Sequence, residues 1–181
     1  YKVQLQILSL NNQKTQLVVK APEHLWNLNV LFKVFPSARI VMTHREPLQA
    51  IASYSSMISM FRRTAYKTTC FKDLGPYVTD VFQKGLKRSY KARKNKSDNT
   101  NIIDVHCKDI QNNPMTTLKS ICRKLKINVD EKANETLNKW IKKRKNDSPG
   151  CHKYSYSTYG VSKSVVEKKF QFYNDKRYIS N

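Results

Sequence analysis

The chain has 181 residues and carries 34 Lys and Arg against 13 Asp and Glu, which gives a formal net charge of +21. Its length predicts one domain over residues 1–181, and a hydrophobic content of 39% excludes a wholly disordered chain. Its four glycines are too widely spaced for a GxGxxG dinucleotide loop or a GxxxxGKS/T phosphate loop. No apolar run approaches the roughly 18 residues of a membrane span, so no transmembrane segment is predicted.

The pattern of apolar residues predicts an alternation of helices and strands. In chain order the predicted elements are a helix end at 1–10, a strand at 17–19, a helix at 22–35, a strand at 39–42, helices at 47–61 and 73–94, a strand at 102–106, and helices at 114–125, 131–143 and 162–173. Strands separated by helices require crossover connections. The pattern therefore predicts an α/β fold with three layers, in which helices cover both faces of a parallel sheet of at least three strands.

The cysteines and histidines are scattered along the chain and predict no metal site. No CxxC pair occurs among Cys70, Cys107, Cys122 and Cys151. Two interpretations fit these cysteines: free thiols in a reducing compartment, which predicts a cytoplasmic protein, or two disulfides in a lumenal one. The lumenal case corresponds to the Golgi, with an N-terminal anchor outside this chain.

Two basic clusters suggest anionic partners. Residues 84–96 contain seven Lys and Arg and no acid, and residues 139–145 contain five in seven positions. Each cluster fits either a solvated helix face or a surface that attracts nucleotides, acidic glycans or nucleic acid. Only Tyr90 and Trp140 are interleaved with these charges, and no zinc-finger or RNP motif occurs, which argues against nucleic acid.

Ligands of parallel sheets bind at the carboxyl ends of strands, and two segments lie there. Residues 20–24 and 43–47 each follow a predicted strand, contain a cation and a histidine, and open a helix whose N-terminal N–H groups suit an anion. Arg45 adds a planar guanidinium suited to phosphate, and Ser53 follows eight residues later, off the apolar stripe of its helix. The pair fits a phosphate clamp; the alternative is a surface arginine and an ordinary helical serine.

Several segments resemble the sulfotransferase family, in the order expected, over residues 1–178. They are VVKAPEHL (18–25), FPSARIV (35–41), THREP (43–47) followed by Ser53, DVHCKDI (104–110) followed by NP (113–114), and HKYS (152–155) followed by YG (159–160). The resemblance implies an enzyme that moves a sulfuryl group from 3′-phosphoadenylyl sulfate (PAPS) to a hydroxyl or amine. The acceptor would be a small molecule or a glycan, and no metal is implied.

The resemblance also implies which residues hold the donor. Arg45 and Ser53 match, in type and spacing, the pair that holds the donor's 3′-phosphate. His152, Lys153 and Tyr154 match a C-terminal loop that closes over the donor in relatives.

Sulfuryl transfer further needs a cation at the leaving phosphate and a base for the acceptor's proton. Lys20 matches a lysine of relatives that contacts the bridging oxygen. His24, one helical turn further on, and Glu23 are both candidate bases, and a base outside this pair also fits. Some relatives carry the catalytic histidine two residues after the lysine, where this chain has Pro22.

The chain departs from the family in two places. Relatives begin with a strand and a loop that wraps the donor's 5′-phosphosulfate, and no such loop is found in this sequence. We therefore expect the C-terminal part of a P-loop-NTPase-like sulfotransferase domain, inactive by itself. Cys107 and Lys108 replace the Tyr and the acid that are common in relatives, so adenine binding is expected to be weaker or differently built. The alternative function is a non-catalytic basic module that binds nucleic acid or an anionic glycan.

Overall fold

The computed structural model describes residues 1–10, 16–66, 70–94, 101–146 and 155–174, with the side chains of 144–146 left out. Within these ranges the helices are α1 (Lys2–Ser9), α2 (Leu28–Val34), α3 (Pro47–Ala65), α4 (Leu74–Lys94), α5 (Cys107–Asn112), α6 (Pro114–Lys124), α7 (Glu131–Asn146) and α8 (Lys163–Asn174), and the strands are β1 (Ile40–His44) and β2 (Ile102–His106). Two 3₁₀ turns lie at Pro22–Trp26 and Ser157–Tyr159. None of the described helices has the length and apolar character to cross a membrane.

The two strands confirm the predicted parallel sheet and the α/β class. β1 and β2 are adjacent and parallel, with Ile40 opposite Ile102 and His44 opposite His106. The connection between them passes through α3 and α4, as a parallel pair requires. The carboxyl ends of both strands therefore lie at one edge of the sheet.

The predicted strand at 17–19 does not form in the described chain. There the sheet consists of β1 and β2 only, and Leu17, Val18 and Val19 leave 51%, 88% and 47% of their surface exposed. A strand needs a hydrogen-bonded neighbour, and no described segment pairs with these residues. The prediction of at least three strands is therefore wrong for the described residues.

The predicted helix at 22–35 is divided into the first 3₁₀ turn and α2. The break lies at Asn27, whose φ of −130° is not helical. The helix predicted at 47–61 begins at Pro47 as expected but continues to Ala65. α5 follows β2 without a loop and was not predicted as a separate helix.

The main core lies between α3, α4 and α8. Its most buried side chains are Ile51, Leu74, Val78, Val166 and Phe170. The second 3₁₀ turn ends at Gly160, whose left-handed φ of 64° favours glycine, and the residues on either side of it return to this core. Tyr173 of α8 belongs to the same cluster, so the core holds the last described helix close to the end of β1.

Candidate functional site

A cavity of about 740 Å³ lies beside β1 and is the candidate site. It is bounded by α1, residues 17–21, the first 3₁₀ turn, α2 and all five residues of β1. Its walls are mostly apolar. Lys20, His24 and Arg45 line it together, so the structure places these three predicted site residues around one space.

Other predicted site residues are not in the lining of this cavity. Ser53 is half-buried on α3, and Glu23 is exposed on the first 3₁₀ turn. His152, Lys153 and Tyr154 lie outside the described residues. Of the two candidate bases, His24 therefore faces the cavity and Glu23 does not.

The start of α3 differs from the sequence-based expectation. Glu46, the residue after Arg45, caps this helix: its carboxylate accepts hydrogen bonds from the backbone N–H of Leu48 at 3.0 Å and of Gln49 at 2.9 Å. The chain's own carboxylate thus satisfies N–H groups that were predicted to be open to an anion. An anion here would be bound by the exposed Arg45 side chain rather than by the helix end.

His24 is held on two sides. Its Nε2 lies 3.2 Å from the hydroxyl of Tyr1, and the two rings meet edge to face at 5.3 Å. The turn that carries it is attached to α4, because the indole N–H of Trp26 donates to the carbonyl of Val81 at 3.2 Å. His24 is half-buried and lines the cavity.

A buried polar cluster connects the end of β1 to α4, β2 and α8. His44 is 3% exposed; its Nδ1 lies 2.7 Å from the Tyr173 hydroxyl, and its Nε2 lies 2.7 Å from Oδ1 of Asp104. Arg93 grips the same carboxylate in a bidentate pair at 2.9 and 2.6 Å. We call Tyr173, His44, Asp104 and Arg93 the buried relay.

The protonation states in the buried relay follow from its environment. Burial opposes the charge on Asp104, but hydrogen bonds from His44 and Arg93 outweigh it and lower the pKa of Asp104 from 3.8 to about 2. Burial, followed by the nearby charge of Asp104, raises the pKa of Tyr173 above its ordinary value. Asp104 is therefore a carboxylate and Tyr173 a neutral phenol across the physiological range.

Sequence reasoning did not find the buried relay. It grouped Arg93 with the basic cluster at 84–96, whose described neighbours Lys84, Lys87 and Lys91 are indeed exposed. The available signal was Asp104 inside an otherwise apolar strand, because a carboxylate at such a position needs a buried partner. The partners come from β1, α4 and α8, and only the fold shows which groups these are.

The described part of the chain contains no candidate metal site and no disulfide. There, no three His, Cys, Asp or Glu side chains lie close enough to hold a metal ion. Cys70, Cys107 and Cys122 are free thiols, and Cys151 lies outside the described residues.

Comparison with known structures and sequences identifies the class of protein. The fold is similar to sulfotransferase STF9 from Mycobacterium avium, with a TM-score of 0.77 and 19% identity over 87% of this chain and 40% of that one. It is also similar to sulfotransferase STF1 from Mycobacterium tuberculosis H37Rv, with a TM-score of 0.73 and 25% identity over 90% of this chain and 41% of that one. The sequence profile of the sulfotransferase family matches residues 2–131, and the chain belongs to that family.

The chain spans about two fifths of the length of each of these two sulfotransferases. No curated protein matches it significantly.

Proposed function

We propose that this chain belongs to a sulfotransferase that moves a sulfuryl group from PAPS to a hydroxyl or amine of a small molecule or glycan. One observation carries the proposal: in a member of the sulfotransferase family, Lys20, His24 and Arg45 line a single cavity beside β1. Two cations suit a donor that is rich in phosphate. Histidine is the side chain that ordinarily exchanges a proton between pH 5 and 8.

Arg45 and Ser53 are proposed to bind the 3′-phosphate of the donor. Arg45 directly follows the last residue of β1, and its side chain is exposed. The helix that begins next, α3, carries Ser53 two turns further on. A guanidinium can bind two phosphate oxygens at once, and a hydroxyl can donate to a third. Because Glu46 caps α3, the affinity for the phosphate has to come from these side chains.

Lys20 and His24 are proposed to act on the reacting groups. The acceptor's oxygen or nitrogen forms a bond to sulfur while the bond between sulfur and the donor's phosphate oxygen breaks. His24 takes the proton that the acceptor loses, and the ammonium of Lys20 stabilises the negative charge that grows on the departing phosphate. The net products are the sulfated acceptor and adenosine 3′,5′-bisphosphate.

The loop that wraps the donor's 5′-phosphosulfate is proposed to come from polypeptide outside these 181 residues. The sequence contains no glycine-rich phosphate loop, and the chain spans two fifths of its structural relatives. The chain would then bind the 3′-phosphate side of the nucleotide yet not transfer sulfate by itself.

Calorimetric binding of two nucleotides to the protein tests this function. Adenosine 3′,5′-bisphosphate is expected to bind more tightly than adenosine 5′-phosphate, because only the first carries the group that Arg45 and Ser53 are proposed to hold. Equal affinity for both nucleotides would contradict the proposal. Tight binding of a sulfated glycan or of RNA instead would favour the non-catalytic basic module, which the exposed lysines of α4 could form.

A further inference from the structure

The ionised carboxylate of Asp104 fixes one end of the buried relay. Asp104 is ionised and can only accept, so Nε2 of His44 must carry the proton of that hydrogen bond. When the imidazole is neutral, its other nitrogen is an acceptor, and Nδ1 receives the hydrogen of the Tyr173 hydroxyl. In that form donation runs from Tyr173 to His44 to Asp104, and Arg93 donates to the same carboxylate from the other side.

Apolar burial cannot by itself fix the position of β1. Of its five residues only His44 is buried, while Val41 and Thr43 are exposed and Ile40 and Met42 are half-buried. Where both faces of a strand are partly open, its register against the neighbouring strand is weakly specified by hydrophobic contacts. A slip of one residue would turn every side chain of β1 to the opposite face.

The buried relay forms only in the observed register. Met42 lies opposite Asp104 and His44 opposite His106, so His44 is diagonal to the carboxylate that it contacts. Displacing β1 by one position would carry His44 away from Asp104 and Tyr173 together. Because hydrogen bonds are directional, the bonds that join Tyr173, His44 and Asp104 specify the register more sharply than an apolar contact of similar size.

The register of β1 also decides where Arg45 stands. Arg45 directly follows His44, and Glu46 then begins the cap of α3. The guanidinium therefore leaves the backbone between two anchored residues: His44, held by Tyr173 and Asp104, and Glu46, held by Leu48 and Gln49.

We propose that His44 and Tyr173 are positioning residues that fix the register of β1 and thereby aim Arg45 at the bound anion. This inference rests on the proposed function, because it assigns Arg45 a phosphate. A purely stabilising role predicts something else. Replacing buried polar partners by apolar groups of similar size is often neutral for stability, so affinity and stability can be separated.

The test measures the affinity of the protein for adenosine 3′,5′-bisphosphate and its melting temperature in the same variants. In the double variant His44→Leu with Tyr173→Phe, apolar side chains replace both partners. We expect only a modest fall in the melting temperature, because Asp104 loses the His44 donor but keeps its bidentate pair with Arg93, and an affinity lower by roughly 10-fold or more, the size of one lost hydrogen bond to a charged group. Unchanged affinity would overturn the proposal.

A control variant shows that affinity does not simply follow stability. Val166→Ala removes buried volume from the core of α8 without touching the buried relay. It is expected to lower the melting temperature and leave the affinity of the folded protein unchanged. If Val166→Ala weakened the nucleotide as much as the double variant, the effect would be a general loss of structure and the positioning role would be refuted.

Single substitutions decide the matter if the double variant does not fold. His44→Gln keeps an amide N–H near the position of Nε2 and can still donate to Asp104, whereas Tyr173→Phe keeps the packed ring and loses only the hydroxyl. We expect each to lower affinity by about 3- to 10-fold, and to lower it no further in combination because both break one hydrogen bond. Full affinity in both would refute the positioning role.

Failure of the proposed function gives a different result. In that case the unmodified protein and Arg45→Ala bind the nucleotide equally poorly, and the inference falls with the function. If the nucleotide affinity falls in Arg45→Ala but does not change when His44 and Tyr173 are substituted, the positioning role alone is refuted.

Discussion

The indole of Trp26 lies against Gly85 of α4 so closely that a Cβ at position 85 would stand 2.5 Å from the indole Nε1. The same indole donates to the carbonyl of Val81 and meets the Phe82 ring edge to face at 6.3 Å. Trp26 ends the 3₁₀ turn that carries His24. The glycine therefore permits the close approach that brings the candidate base to the cavity.

Gly85→Ala is expected to destabilise the protein by about 1–3 kcal/mol, the usual cost of overpacking, although alanine favours the helix by up to about 1 kcal/mol. Urea unfolding measures the change. Trp26→Phe, with its smaller ring, makes room at this contact, so the cost of Gly85→Ala should be smaller in that background. A Gly85→Ala protein as stable as the unmodified one would show that the contact imposes no constraint.

Arg45→Ala is expected to weaken adenosine 3′,5′-bisphosphate by about 1.5–3 kcal/mol, the range for hydrogen bonds to a charged group. Ser53→Ala should weaken it less, because a single neutral donor is lost. Adenosine 5′-phosphate, which has no 3′-phosphate, should be unaffected by Ser53→Ala and should lose in Arg45→Ala only the small amount that the removal of one charge causes. Calorimetric titration of both nucleotides checks these differences.

Arg88→Ala is the matched control for charge. Arg88 is exposed on α4 and is not in the lining of the cavity, so its removal lowers the net charge by the same amount without touching the site. We expect a small loss of affinity for both nucleotides, in proportion to their charge, that disappears in added salt. If Arg88→Ala lowered the affinity for adenosine 3′,5′-bisphosphate as much as Arg45→Ala does, long-range attraction would account for binding and the clamp would be disproved.

Local signals in the sequence explain which parts of the fold were predictable. Pro47 favours the first turn of a helix, and the β-branched and apolar runs of β1 and β2 favour strands. The run at 17–19 has the same local character, but whether it pairs depends on a neighbouring strand that no local pattern reveals. Local patterns therefore predicted both described strands and nearly every described helix, together with a strand at 17–19 that does not form.

The site likewise contains some residues that the local sequence predicts and others that only the fold reveals. Arg45 and His24 were predicted because each follows a strand or opens a turn in a recognisable segment. The contact between His44 and Asp104 was not predicted, since the two residues are 60 positions apart and meet only through the register of two strands. Arg93 resembled its exposed lysine neighbours, because burial of one cation in a basic helix depends on what packs against it.

Acidic pH is expected to lower the stability of the folded protein through protonation of Asp104. Its pKa is about 2 in the folded state and 3.8 in the absence of its partners. Its contribution to stability, about 2 kcal/mol, is complete above pH 3.8 and is lost as the pH falls through the folded value, because the unfolded chain takes up the proton first. Urea unfolding across this acid range measures the loss.

Asp104→Asn isolates this effect from other acids, including Asp73 and Asp80, whose pKa values are also lowered by ion partners. The substitution leaves the buried Arg93 without its carboxylate and should cost about 3–5 kcal/mol at neutral pH. It should also flatten the dependence of stability on acid pH. An Asp104→Asn protein that loses stability in acid as steeply as the unmodified one would place the titrating group elsewhere.

Lys20 and His24 are expected to affect catalysis in different ways, measured in the complete enzyme with PAPS as donor. Lys20→Met keeps the length of the side chain and removes the charge. It should lower kcat far more than it weakens the binding of adenosine 3′,5′-bisphosphate, because the charge that Lys20 meets develops in the transition state.

His24→Ala should lower kcat by about 10²–10⁴-fold, the usual contribution of a positioned base, whereas Glu23→Gln should have little effect because Glu23 is exposed outside the cavity. The reverse order, with Glu23→Gln inactive and His24→Ala normal, would exchange their roles. Normal turnover in both variants would place the base outside this chain, and sulfate transfer by the 181 residues alone would show that no additional phosphosulfate loop is needed.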